Sequence, residues 1–131
     1  GWYLGARAVG LNPPVAAAKL QSAGWVIPVL ILSAVMNAVL EEVVMVGYLL
    51  TRWAQAGWRT LTAVLVSALI RGTYHLYQGW GGFAGNIVMG VIFGWIFTRT
   101  RRVLPLVIAH TILDVVSFVG YTLLAPHVSW L

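Results

Sequence analysis

The sequence predicts an all-α, polytopic membrane protein built on a four-helix core. The 131 residues are 60% hydrophobic and only 8% charged, with mean hydropathy +0.88, whereas soluble domains carry about a quarter charged residues. Four apolar stretches, near residues 25–50, 60–79, 83–98 and 103–125, approach or exceed the roughly 20 residues needed to cross about 30 Å of hydrocarbon. A soluble globular domain is thereby excluded. The absence of Cys and of any dense basic cluster argues against a disulfide scaffold, a thiolate metal site and nucleic-acid binding.

Residues 1–24 form an N-terminal juxtamembrane segment, and 25–131 the membrane-embedded domain. The segment shows no signal peptide and begins without Met, so the chain is expected to be a piece of a longer one. Asn12-Pro13-Pro14 reads as a turn and 15–20 as a short interfacial helix. The first span runs through Glu41-Glu42 to Thr51-Arg52. The second carries Arg71 and His75, the third Asn86 and a Gly90-x-x-x-Gly94 step suited to close helix packing, and the fourth His110 and Asp114. Breaks are expected at Gly57, at Gly79-Trp80-Gly81-Gly82 and at Arg99-Thr100-Arg101-Arg102.

Five of the eight basic residues, Arg52, Arg59, Arg99, Arg101 and Arg102, fall in two loops, which the positive-inside rule makes cytoplasmic. Arg7 and Lys19 lie on the other side. An integral-membrane location follows, and a bacterial plasma membrane is the expected one. Trp25, Trp53, Trp58, Trp80 and Trp130 sit near span ends, where aromatic side chains anchor at the interface.

All three acids, Glu41, Glu42 and Asp114, lie within apolar runs. An intramembrane ionisable group is costly and by default functional. Arg71 and His75, like His110 and Asp114, are four residues apart and share a helix face. Glu41 and Glu42 are consecutive, about 100° apart on an α-helix. One is therefore expected to do chemistry while the other pairs or packs. At 1.5 Å per residue from the Arg-marked ends, the Glu pair, His110, Asp114, Asn86 and His75 lie about 11–23 Å deep, which points to a single buried cluster. Such a set suits water activation by a carboxylate with oxyanion stabilisation by His or Asn. His75, His110 and Glu41 could equally ligate Zn²⁺. No zincin or serine-nucleophile motif is present.

Glu41-Glu42, His75 within RGTYHLYQG, Asn86, and AHTILD with His110 and Asp114 resemble the CPBP family, the CAAX-protease and bacteriocin-processing intramembrane endopeptidases that include the Rce1-type prenyl-protein proteases. The resemblance covers roughly residues 35–120. It implies hydrolysis of peptide bonds in membrane-associated or prenylated proteins, within a helical membrane fold. Glu41 matches the base that activates water, Glu42 its support, and His75 and His110 the family's two motif histidines. Asp114 would orient water or stabilise the oxyanion with them, and Asn86 is a supporting residue. A glutamate-type mechanism without a cofactor is expected, with Zn²⁺ on His75, His110 and Glu41 the alternative. The partners implied are the lipid bilayer and a protein or peptide substrate, and no nucleic acid.

There are two departures. Val46 stands where the E-E-x-x-x-R motif places Arg, and Arg71 where an aromatic residue precedes the His. Arg71 is expected to supply from the second helix the guanidinium missing from the first, pairing with Glu42 or Asp114 within about 8 Å, the reach of a direct or water-bridged contact. A non-catalytic scaffold or regulatory relative, and a proton-coupled transporter module, are the other classes. The lost Arg favours the first, and the absence of a visible repeat counts against the second. Asn37 reads as structural, His127 as interfacial.

Overall fold

The computed structural model describes residues 9–10 and 25–124, with side chains through 120. Most of the 1–24 segment, including the expected turn and interfacial helix, and also His127 and Trp130, lies outside the described residues. The fold is all-α. Its elements are α1 (Val26–Gln55), α2 (Thr60–Tyr74), a 3₁₀ turn (Leu76–Gln78), α3 (Trp80–Thr100) and α4 (Leu104–Leu124), with no strand among the described residues.

Pro28 and Pro105 sit in the first turns of α1 and α4, where a missing N–H costs nothing. The end of α1 is a Schellman turn. Gly57 takes φ +80°, its N–H donates to the Ala54 carbonyl (3.1 Å), and the Trp58 N–H to that of Trp53 (2.9 Å). The hydrophobic contact that accompanies this motif is here Trp53 stacked on Trp58, ring centroids 4.9 Å apart.

The second apolar stretch is helical only to Tyr74, 15 residues, rather than to residue 79. The His75 N–H bonds to the Gly72 carbonyl (3.0 Å), three residues back, and this tightening ends the helix. The Arg71 carbonyl so freed accepts from the His75 ring at Nδ1, 3.0 Å, a side-chain cap of the kind found at helix C-termini. Gly79, at φ +88°, then turns the chain into α3. Trp80, Gly81 and Gly82, expected to be part of the break, form the first turn of α3 instead. Gly82 is required by proximity rather than flexibility, because a Cβ there would lie 2.5 Å from Cβ of Gln78.

The Gly90/Gly94 step packs α3 on α2 as the spacing predicts: a Cβ on Gly90 would meet Cα of Ala68 at 2.9 Å, and one on Gly94 would meet Val64 at 3.1 Å. Val46, Leu50, Ala63, Val64, Phe93, Phe97 and Leu106 form the core. Leu50, Ala54, Trp58, Thr60, Thr98 and Arg101 line one small cavity, so the α1–α2 and α3–α4 connections lie at the same end of the bundle. The outer faces are apolar: Leu32, Met36, Leu61, Leu65, Val88, Ile92, Leu113 and Val116 are all exposed. α1 and α3 are long and apolar enough to cross a membrane.

Candidate active site

Midway along α1 the hydrogen bonding widens to the i→i+5 pattern of a π-helix over Glu41–Tyr48, a feature frequent at functional sites. The two glutamates begin it. Arg71, from α2, meets both: its Nη2 lies 3.0 Å from Glu41 Oε2 and 2.8 Å from Glu42 Oε1. Consecutive glutamates, expected to diverge by about 100° and to divide their roles, instead both reach one nitrogen. A long guanidinium entering between them is reached from both sides.

The third partner comes from α4. His110 Nδ1 is 2.9 Å from Glu42 Oε1 and 3.1 Å from Arg71 Nη2. Nδ1 serves one of these partners at a time: carrying its hydrogen it donates to Glu42 Oε1, and without that hydrogen it accepts from Arg71 Nη2, while Arg71 and Glu42 hold each other as an ion pair. On the other ring edge, His110 Nε2 stands 3.6 Å from Asp114 Oδ2, an electrostatic contact too long for a hydrogen bond. Arg71 thus pairs with Glu42, one of the two expected partners, and with Glu41, while Asp114 faces His110.

His75, at the end of α2, has its Nδ1–H on the Arg71 carbonyl and its Nε2 3.5 Å from Glu41 Oε1. Its ring lies beside those of Tyr74 (4.7 Å) and Tyr77 (6.2 Å). From α3, the Phe93 ring underlies the Arg71 guanidinium at 5.8 Å and meets His110 edge-on. Gly90 makes room for the arginine stem, since a Cβ there would be 3.2 Å from Arg71 Cδ. Asn86 is not drawn in. Its Nδ2 donates to the Gly82 carbonyl of its own helix, 2.9 Å.

Burial sorts the carboxylates. Glu42 is fully buried and Arg71 is 1% exposed, whereas Glu41 and Asp114 retain 17% and 22% exposure. Glu42 is an internal anchor, whereas Glu41 and Asp114 each keep a partly accessible edge. Arg71 Nε and Nη1, with Glu41 Oε2 and Glu42 Oε2, have no ideal hydrogen-bond partner, so the cluster keeps unspent donor and acceptor capacity. The sequence did not single out Phe93 or Ser67. Both look like ordinary core positions until the fold sets Phe93 against Arg71 and His110 and Ser67 on the Met45 carbonyl of α1.

A family model described as type II CAAX prenyl endopeptidase Rce1-like matches residues 23–116. That is well over half of the 131 residues, and it takes in Glu41, Glu42, Arg71, His75, His110 and Asp114. No curated protein and no solved structure matches the chain.

Proposed function

Because the chain belongs to the Rce1-like family of type II CAAX prenyl endopeptidases, an integral-membrane protease family, we propose that it is a glutamate-type intramembrane endopeptidase acting on prenylated or other membrane-associated proteins. The observation that carries this reading is the setting of Glu41, a partly accessible carboxylate held between Arg71 Nη2 and His75 Nε2.

With its Nδ1–H committed to a carbonyl, neutral His75 presents Nε2 as an acceptor. Glu41 Oε1 is also an acceptor, 3.5 Å away. One water can give a hydrogen to each, which turns its oxygen lone pair toward a substrate carbonyl. Glu41 takes the proton as that oxygen bonds to the carbonyl carbon, and returns it to the leaving nitrogen as the C–N bond breaks. Arg71 keeps the carboxylate in place. His110 turns its Nε2 edge to the developing oxyanion, with Asp114 beside it.

The donor set supports a metal-free mechanism. Glu41, Glu42 and His110 all lie within 3.1 Å of one guanidinium nitrogen. A Zn²⁺ on His75, His110 and Glu41 would have to form beside that fixed cation, whose charge opposes a second one.

The test is cleavage of a prenylated CAAX peptide by the full-length protein in proteoliposomes. Wild-type turnover that survives a chelator and is lost in Glu41→Gln is expected. Loss with chelator would replace this mechanism by a metal-dependent one, and binding of the peptide without turnover would favour the scaffold reading.

A further inference from the structure

α1 changes hydrogen-bond register twice, and the second change leaves a mark. The wide i→i+5 pattern ends with the Leu49 N–H on the Val44 carbonyl, and α spacing resumes from Leu49. That spacing assigns the next donor, the Leu50 N–H, to the Val46 carbonyl. The carbonyl passed over is that of Met45. A buried carbonyl without a donor costs about 1–3 kcal/mol, and this one is served from another helix: the hydroxyl of Ser67, buried on α2, donates to it at 2.8 Å across 22 residues of sequence.

We propose that Ser67 is a positioning residue that holds α1 in its π register and thereby sets Glu41 and Glu42 on Arg71. Ser67 and Arg71 are four residues apart on α2, on one face of the helix. That face grips α1 at two points, the hydroxyl on the Met45 carbonyl and the guanidinium on the two carboxylates. The grip matters because a π turn accommodates one residue more than an α turn. Downstream of it, Val46 and Leu50 are fixed in the core. Collapse to α spacing would rotate everything upstream by about 100° relative to them, carrying Glu42 away from its two buried partners and Glu41 away from His75. Gly47 gives the widened backbone its space, since a Cβ there would lie 2.8 Å from a Val103 methyl.

This role presupposes the hydrolase reading for its effect on turnover, but its structural half has a separate readout. In full-length protein, Met36→Leu and Met89→Leu leave Met45 the only methionine of these 131 residues. With ¹³C placed at methionine carbonyls, its amide I band reports on that one acceptor, methionines in flanking chain being replaced likewise. Ser67→Ala is expected to move the band to higher frequency and to lower kcat by about a hundredfold, the scale of a 1 Å misplacement in an active site, with KM near wild type. Ser67→Thr, which keeps the hydroxyl, is expected to restore both.

An unmoved band in Ser67→Ala overturns the proposal, as does a moved band with unchanged kcat per folded molecule. If the wild-type protein shows no cleavage, the hydrolase reading fails while the band alone decides whether Ser67 holds the register.

Discussion

Arg71 Nη2 and Glu42 Oε1 meet at 2.8 Å between two helices, with the arginine 1% exposed and the glutamate not at all. The pair is sealed, and no water competes for it. Removing one partner from such a contact strands the other charge, which typically costs about 3–5 kcal/mol.

Arg71→Leu is therefore expected to lower stability by about that amount and to abolish activity, since two glutamates lose their common cation. Arg71→Leu combined with Glu42→Leu should recover part of the stability, as interacting sites are non-additive. Denaturation of the detergent-solubilised variants checks this. Single and double variants that lose equal stability would deny the coupling.

The two glutamates should separate by readout. Glu41→Gln is expected to reduce kcat by about 10²–10⁴-fold, the contribution of a general base, and to lower the unfolding midpoint less than Glu42→Gln does, because Glu41 is partly exposed and Glu42 is not. Glu42→Gln is expected to act first on stability, through its contacts with Arg71 and His110. Kinetics and thermal unfolding on the same preparations distinguish them, and a reversed pattern would exchange their roles.

Gly90→Ala is expected to destabilise by about 1–3 kcal/mol, as overpacking does, because the new methyl meets Ala68 backbone at 2.9 Å and the arginine stem at 3.2 Å. Gly120→Ala is the control. Nothing lies within 4 Å of a Cβ there, so the substitution should gain about 0.5–1 kcal/mol from helix preference alone. Equal effects at the two sites would mean that α2 and α3 do not pack on a small-residue seam.

The Arg-bearing connections are expected on the cytoplasmic side. These 131 residues contain no Cys, so with any in flanking chain replaced, single-cysteine labelling reports on the chosen site. Tyr77→Cys should react with an impermeant maleimide in intact cells, and Thr100→Cys only after permeabilisation. The opposite pattern would invert the protein.

Much of this architecture was legible in advance because membrane helices announce themselves by apolar length, and because a buried charge demands a partner. The existence of four helices, the Gly90/Gly94 seam and a guanidinium from the second helix on Glu42 all follow from those two constraints. The end of α2 did not, since His75 terminates it with its own ring, a use of the side chain that hydropathy cannot register. Gly81 and Gly82 read as breakers, yet they open α3, and Gly82 stands there because Gln78 leaves no room for a side chain. The π register was also invisible. A one-residue widening alters no composition, and its marker, Ser67, is one small polar residue in an apolar run. The placement of Glu41 and Glu42 on a single nitrogen depends on that widening, so the geometry of the cluster required the structure even though its membership did not.

His75 closes its helix through Nδ1 and faces Glu41 through Nε2. Moving its proton from the first nitrogen to the second would uncap α2, so tautomer exchange is tied to fraying of the helix end. The two nitrogens of one ring thus have separate duties, and any change that turns the imidazole to improve its contact with Glu41 is felt at the end of the helix.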